Sequence, residues 1–178
     1  MTHDKWFISD THFFHTNILK FIGDDGKRIR PFDSLEEMHE YMIEKWNSVV
    51  KPNDYVYHLG DVTFQYNGAF NNLMHRLNGQ KRLTPGNHDK IWNPALMQNF
   101  EKCEYWKGFS EADFTACHIP TLTSPRDGNF WVHGHTHSRF ILDEKGNPRN
   151  NCINVCVEVR DYTPVNIDEI AAEIKARS

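Results

Sequence analysis

Thr84-Pro85-Gly86-Asn87-His88-Asp89 sets an amide oxygen, an imidazole and a carboxylate on three successive residues behind a Pro-Gly turn. The strand-like run Gln80-Lys81-Arg82-Leu83 leads into it, which puts the turn at the carboxyl end of a buried strand. Pro fixes its own φ, and Gly permits the close backbone approach of a sharp bend. Asn and Asp are also ordinary turn residues, so the hexapeptide alone equally describes a surface turn carrying a histidine. The rest of the chain decides between the two readings.

Upstream, Trp6-Phe7-Ile8-Ser9 is an apolar run that delivers Asp10-Thr11-His12. Residues two apart on a strand share a face, so Asp10 and His12 can converge on one ion. Tyr55-Val56-Tyr57-His58-Leu59 ends in the same way, at Gly60-Asp61. A short helix is expected over 16–22, then a loop or hairpin tip with Asp25-Gly26 as its turn. Ser34-Leu35-Glu36-Glu37 is a capping box, and Leu35, Met38, Met42, Trp46 and Val49 follow at helical spacing until Pro52 stops the run. Residues 68–78 fit a second amphipathic helix. Strands alternating with helices imply an α/β architecture with an at least partly parallel sheet.

The second half is strand-rich. Phe114–Cys117 leads to His118, and Asn129-Phe130-Trp131-Val132 leads to His133-Gly134-His135-Thr136-His137. Phe140-Ile141-Leu142 and Cys152-Ile153-Asn154-Val155 flank Asp143–Pro148, which reads as a β-hairpin connection. Asn166 and Glu169 cap a final helix that turns Ile167, Ile170 and Ile174 to the core. With no repeat, linker or low-complexity tract, residues 1–178 read as a single domain.

At 39% hydrophobic and 25% charged residues the chain is globular, and a net charge of −4 argues against a broad footprint for duplex nucleic acid. Cys103, Cys117, Cys152 and Cys156 form no CxxC pair, which favours reduced thiols in a cytoplasmic protein over a zinc site or a disulfide framework. Met1–Lys5 runs straight into a strand without a signal-peptide core, and no apolar run is long enough to span a membrane.

Five strand ends thus carry Asp10 and His12, Asp61, Asn87 and His88, His118, then His135 and His137. Strand carboxyl ends are where open α/β sheets build sites. So many buried ionisable groups together would cost several kcal/mol each without a cation. The oxygen and imidazole set suits two divalent ions drawn from Mn, Fe, Zn or Ni.

These motifs, in order, resemble the calcineurin-like metallophosphoesterases: Asp10-x-His12, Gly60-Asp61, Gly86-Asn87-His88-Asp89, His118 and Gly134-His135-Thr136-His137. The resemblance implies two facing mixed β-sheets flanked by helices, a four-layer sandwich. It implies Asp10, His12, Asp61 and His137 on one metal, and Asp61 (bridging), Asn87, His118 and His135 on the second. His88 becomes the catalytic imidazole, and a metal-bridging hydroxide the attacking group on a nucleotide-like or other small phosphate ester, with a phosphodiester favoured. A phosphomonoesterase, a nuclease and a non-catalytic metal-binding module are the rival readings. The chain departs from the family at Phe64, where many members carry the Asp that orients the catalytic His, so His88 needs another partner, with Asp89 or a backbone carbonyl the candidates. His15 and Asn17 follow the first motif closely enough to face substrate. Arg30 is a candidate for bidentate contact with a phosphate oxygen, set against the plainer reading of a solvated loop cation. His133 reads as a packed strand residue near the site.

Overall fold

The computed structural model describes residues 3–120 and 129–178; Met1 and Thr2, part of the stretch read for a leader, lie outside the described residues. Two sheets carry the fold. The first has the order β4-β3-β2-β1-β9, with β1 Lys5–Ile8, β2 Tyr55–His58, β3 Gln80–Leu83, β4 Lys102–Cys103 and β9 Val165–Asn166. Strands β1 to β4 are parallel, and β9 closes the edge antiparallel to β1. The second has the order β5-β6-β7-β8: Trp106–Phe109, Phe114–Cys117, Phe130–His133 and Cys152–Asn154. Only β5 runs antiparallel to its neighbour there.

The pleat sorts successive side chains to opposite faces. Ile8 and Val56 join a core with Met38, Met42 and Trp46 of α1 (Leu35–Val49) and Phe70 of α2 (Gly68–Arg76). Phe7 and Tyr57, one residue away on each strand, face Phe114, Val132 and Ile153 across the gap between the sheets. Ile170 and Ile174 of the last helix, Ile167–Arg177, close that second core. The result is a pair of mixed sheets flanked by helices.

The helix starts follow their caps. The Glu37 N–H donates to the Ser34 hydroxyl, while the Glu37 carboxylate reaches the Asp33 N–H rather than that of Ser34. Asn166 and Glu169 form a complete capping box. The helix expected over 16–22 is a 3-10 turn, Thr16–Lys20, and Phe21 is already extended. The hairpin expected around Asp143–Pro148 shrinks to a Leu142–Pro148 bridge, because β8 pairs in parallel with β7 instead. Cys152 and Ile153 are buried and belong to a sheet, whereas Phe140 and Leu142 stand in solvent. Among the described residues no helix is long and apolar enough to cross a membrane.

What positions the site is the seam between the sheets. The Ser9 N–H donates to the Val155 carbonyl at 3.1 Å, and Val157 N–H returns to Ser9 at 3.2 Å, so the ends of β1 and β8 are laced together. The carboxyl ends of β1, β2, β3, β6 and β7 therefore open on one side of the molecule.

Candidate metal centre

Two triads of potential ligands form there: Asp10, His12 and His137, and Asp61, His118 and His135, each offering atoms within 4.8 Å of one another. His12 Nε2 lies 3.6 Å from Asp10 Oδ1 and 3.7 Å from Asp61 Oδ2. His118 Nε2 lies 3.5 Å from the same Asp61 oxygen and 3.1 Å from Asn87 Oδ1. His137 Nε2 is 3.9 Å from Asp10 Oδ1. Asp61 Oδ2 thus sits between the triads.

The surrounding bonds aim these atoms. His118 Nδ1 is 2.7 Å from the Leu59 carbonyl, which only accepts, so the proton sits on Nδ1 and Nε2 keeps its lone pair for a cation. His137 Nδ1 makes the equivalent bond to Glu158 Oε1 at 2.8 Å. Asp10 Oδ2 accepts from the His135 N–H at 2.8 Å, from the Cys156 thiol at 3.2 Å and from the Ser9 hydroxyl. Asp10 Oδ1 and both ring nitrogens of His12 are buried without a partner. An unsatisfied buried polar atom costs about 1–3 kcal/mol, and divalent cations would satisfy Asp10 Oδ1 and one of the His12 nitrogens. With only oxygen and imidazole donors converging, the residues fit such ions.

Electrostatics agree. Burial opposes the charge on Asp10, but the imidazoles of His12, His118 and His137 outweigh it and hold the carboxyl well below the usual range. Asp61 is lowered too, with burial overcome by the bond to His118. Burial pulls on His137 and His118 as well, yet Glu158 and Asp61 respectively raise them.

The backbone is held in uncommon conformations to do this. Asp10, His12, Asp61, His135 and His137 all have left-handed φ, from 48° to 72°. Each such residue costs on the order of 1–3 kcal/mol, and these conformations cluster at functional sites. Glycine allows the close packing behind them: a Cβ on Gly134 would lie 1.9 Å from Ser9 Oγ, and one on Gly60 2.4 Å from Gly86 N.

Asp89 does not orient the His88 ring, contrary to one expectation from the sequence. Its buried carboxylate accepts the N–H groups of Gly86 and Asp61, each at 2.8 Å, and of Val62 at 2.9 Å. It staples the two loops that carry Asp61 and Asn87. His88 hangs from its own N–H, which donates to Asp61 Oδ1 at 3.0 Å; its imidazole is half exposed, with Nε2 4.0 Å from Asp61 Oδ2. Phe64, in the place of the family Asp, lies 5.2 Å from the His88 ring and stacks on His15 at 3.9 Å and 10°. Burial and the neighbouring His12 and Arg30 press His15 down to about 4, so its ring is neutral near pH 7. Asn17 is exposed on the 3-10 turn. His133 is buried, with Nδ1 bonded to the Gly134 carbonyl at 2.8 Å, as a packed strand residue would be.

Arg30 corrects a second expectation: it is fully buried and faces no substrate. Its guanidinium donates to the Thr11 carbonyl at 2.7 Å, to Glu158 Oε1 at 2.6 Å and to the Asp10 carbonyl. Its charge is consumed in clamping the loop that carries Asp10 and His12 and in pairing Glu158. Glu158 itself escaped sequence reasoning, although an acid between Val157 and Val159 in an apolar context is the signal that marks it.

The two-sheet α/β sandwich thus carries, at its strand ends, two carboxylate–imidazole triads that could each hold a metal ion. The sequence profile of the calcineurin-like phosphoesterases matches residues 5–122, and the chain belongs to that family. An uncharacterized protein of Methanocaldococcus jannaschii is 38% identical over 175 residues, covering 96% of this chain and 90% of the relative. The gene 66 protein of Mycobacterium phage L5 is 29% identical over 180 residues, covering 78% and 80%. Among solved structures, a protein of unknown function from Aquifex aeolicus superposes with a TM-score of 0.73 at 26% identity, covering 96% of this chain and 99% of its own.

Proposed function

We propose that the protein is a dinuclear metal-dependent phosphodiesterase. The observation that carries this reading is the position of Asp61 Oδ2, 3.7 Å from His12 Nε2 and 3.5 Å from His118 Nε2, where one carboxylate oxygen lies within reach of a ligand from each triad. Asp10, His12, Asp61 and His137 would hold one divalent ion; Asp61, Asn87, His118 and His135 would hold the other. When bound, such ions supply Lewis acidity that acidifies a water and neutralises phosphoryl oxygens.

The protein's own groups do the rest. His88, half exposed at the rim, is free to hydrogen-bond or protonate the departing oxygen. Arg30 and Glu158 keep the Asp10–His12 loop and the His137 ring in place. A diester is favoured over a monoester because cations able to clamp a terminal dianion are few. Of Lys27, Arg28 and Arg30, Arg30 is buried, Arg28 is engaged with the Phe32 carbonyl and Asp33, and Lys27 stands exposed on its loop, while Arg139, beside His135 and His137, is paired with Asp24. The cytoplasm remains the proposed location, supported by four free cysteines, three of them buried.

The test is kcat/KM on bis(p-nitrophenyl) phosphate against p-nitrophenyl phosphate, with Mn²⁺ supplied and after chelation. The diester should be the better substrate and chelation should abolish turnover. A clear monoester preference would overturn the diester reading, and metal-independent turnover the metal reading.

A further inference from the structure

Beside the metal centre a cleft of about 600 Å³ opens between two short arms of the chain. One arm carries Phe21 and Ile22 and is closed by the Ile22–Arg28 bridge; the other carries Phe140 and is closed by the Leu142–Pro148 bridge. The floor of the cleft includes His135 and His137, so whatever fills it adjoins the triads directly. Phe21, Ile22 and Phe140 are 44%, 57% and 75% exposed, a concentration of apolar surface lining one cleft. Phe21 also meets the His15 ring edge-on at 5.7 Å, and His15 stacks on Phe64. An aromatic wall therefore runs unbroken from His88 to the mouth of the cleft.

We infer that this cleft holds the nucleoside of a nucleotide-type phosphodiester, its base lying between Phe21 and Phe140 while the phosphate sits at the metals. The inference rests on the phosphodiesterase reading above. Three features select a nucleoside over a plain hydrocarbon. Two exposed phenylalanine rings line the same cleft, and base–aromatic stacking contributes about 1–3 kcal/mol by substitution. The exposed Asp24–Arg139 pair, 3.1 Å apart at the rim, offers both an acceptor and donors to the edge of a base. The volume lies within the roughly 300–1,000 Å³ of small-ligand sites.

The test uses the Mn²⁺-loaded enzyme and two diesters with the same leaving group, thymidine 5′-(p-nitrophenyl phosphate) and methyl p-nitrophenyl phosphate. Wild type should favour the thymidine ester in kcat/KM. Phe140→Ala and Phe21→Ala should each raise KM for that ester about tenfold, at nearly constant kcat, while turnover of the methyl ester stays unchanged. Equal kcat/KM for the two esters in wild type would overturn the inference, as would equal losses on both esters in the variants. Hydrolysis of neither ester would instead refute the phosphodiesterase reading on which it rests.

Discussion

Asp89→Asn isolates the staple between the two ligand-bearing loops without touching a candidate ligand. In the native protein Oδ2 takes two N–H groups, from Asp61 and Gly86, and Oδ1 takes one, from Val62. An asparagine best keeps its oxygen on the two-bond side and turns its NH₂ toward the Val62 N–H. That leaves one buried donor facing another, at about 1–3 kcal/mol, and weakens two charge-assisted bonds to neutral ones, at up to about 1 kcal/mol each. The expected loss is about 2–4 kcal/mol. Urea denaturation of the metal-free variant against metal-free wild type at neutral pH reads it directly. Metal affinity should fall with it, because Asp61 and Asn87 hang from the stapled loops. A change smaller than about 0.5 kcal/mol would mean that the three N–H groups do not depend on the carboxylate.

Gly134→Ala places a Cβ 1.9 Å from Ser9 Oγ and 2.5 Å from Asp10 Oδ2, so it should displace Asp10 and weaken metal binding in a calorimetric titration while the protein stays folded by circular dichroism. His88→Ala should lower kcat on bis(p-nitrophenyl) phosphate by about 10²-fold or more at unchanged metal content; undiminished turnover would remove His88 from the chemistry. Burial depresses His39 from 6.5 to about 4, and the neutral ring accepts the Phe14 N–H at 3.0 Å. The unfolded chain takes up that proton first, so the stabilisation from His39 is complete above pH 6.5 and is lost as pH falls toward 4. His39→Gln keeps an acceptor that does not titrate and should make the acid-side decline in urea midpoint shallower; an unchanged slope would contradict the assignment.

The centre was legible because strand termini are written in sequence: an apolar run that gives out at Asp or His marks a place on a sheet edge, as at Asp10, Asp61 and His118. Features set by packing were not legible. Nothing in Ile29-Arg30-Pro31 says that the guanidinium folds beneath the Asp10–His12 loop rather than outward, since its partners Thr11 and Glu158 are 19 and 128 residues away. Asp89, adjacent to His88, looked like its partner, yet its carboxylate takes the N–H groups of the left-handed Asp61 and of Val62, with that of Gly86 from its own loop. The edge strands β4 and β5 carry Lys102, Trp106 and Lys107 with no apolar alternation, because an edge strand is only half covered. Likewise Cys152-Ile153 reads as a hairpin arm until burial assigns it to β7.

Metal stoichiometry tests the central claim most directly. Metal-free protein titrated with Mn²⁺ or Zn²⁺ at neutral pH should saturate at about two ions per chain, one for each triad in the proposed centre. His137→Ala should keep about one ion, on the Asp61–His118–His135 side, and Asp61→Asn should weaken both positions together, because its Oδ2 faces both triads. Saturation of wild type at one ion or none, or selective loss of the same single ion in both variants, would contradict a dinuclear centre bridged by Asp61.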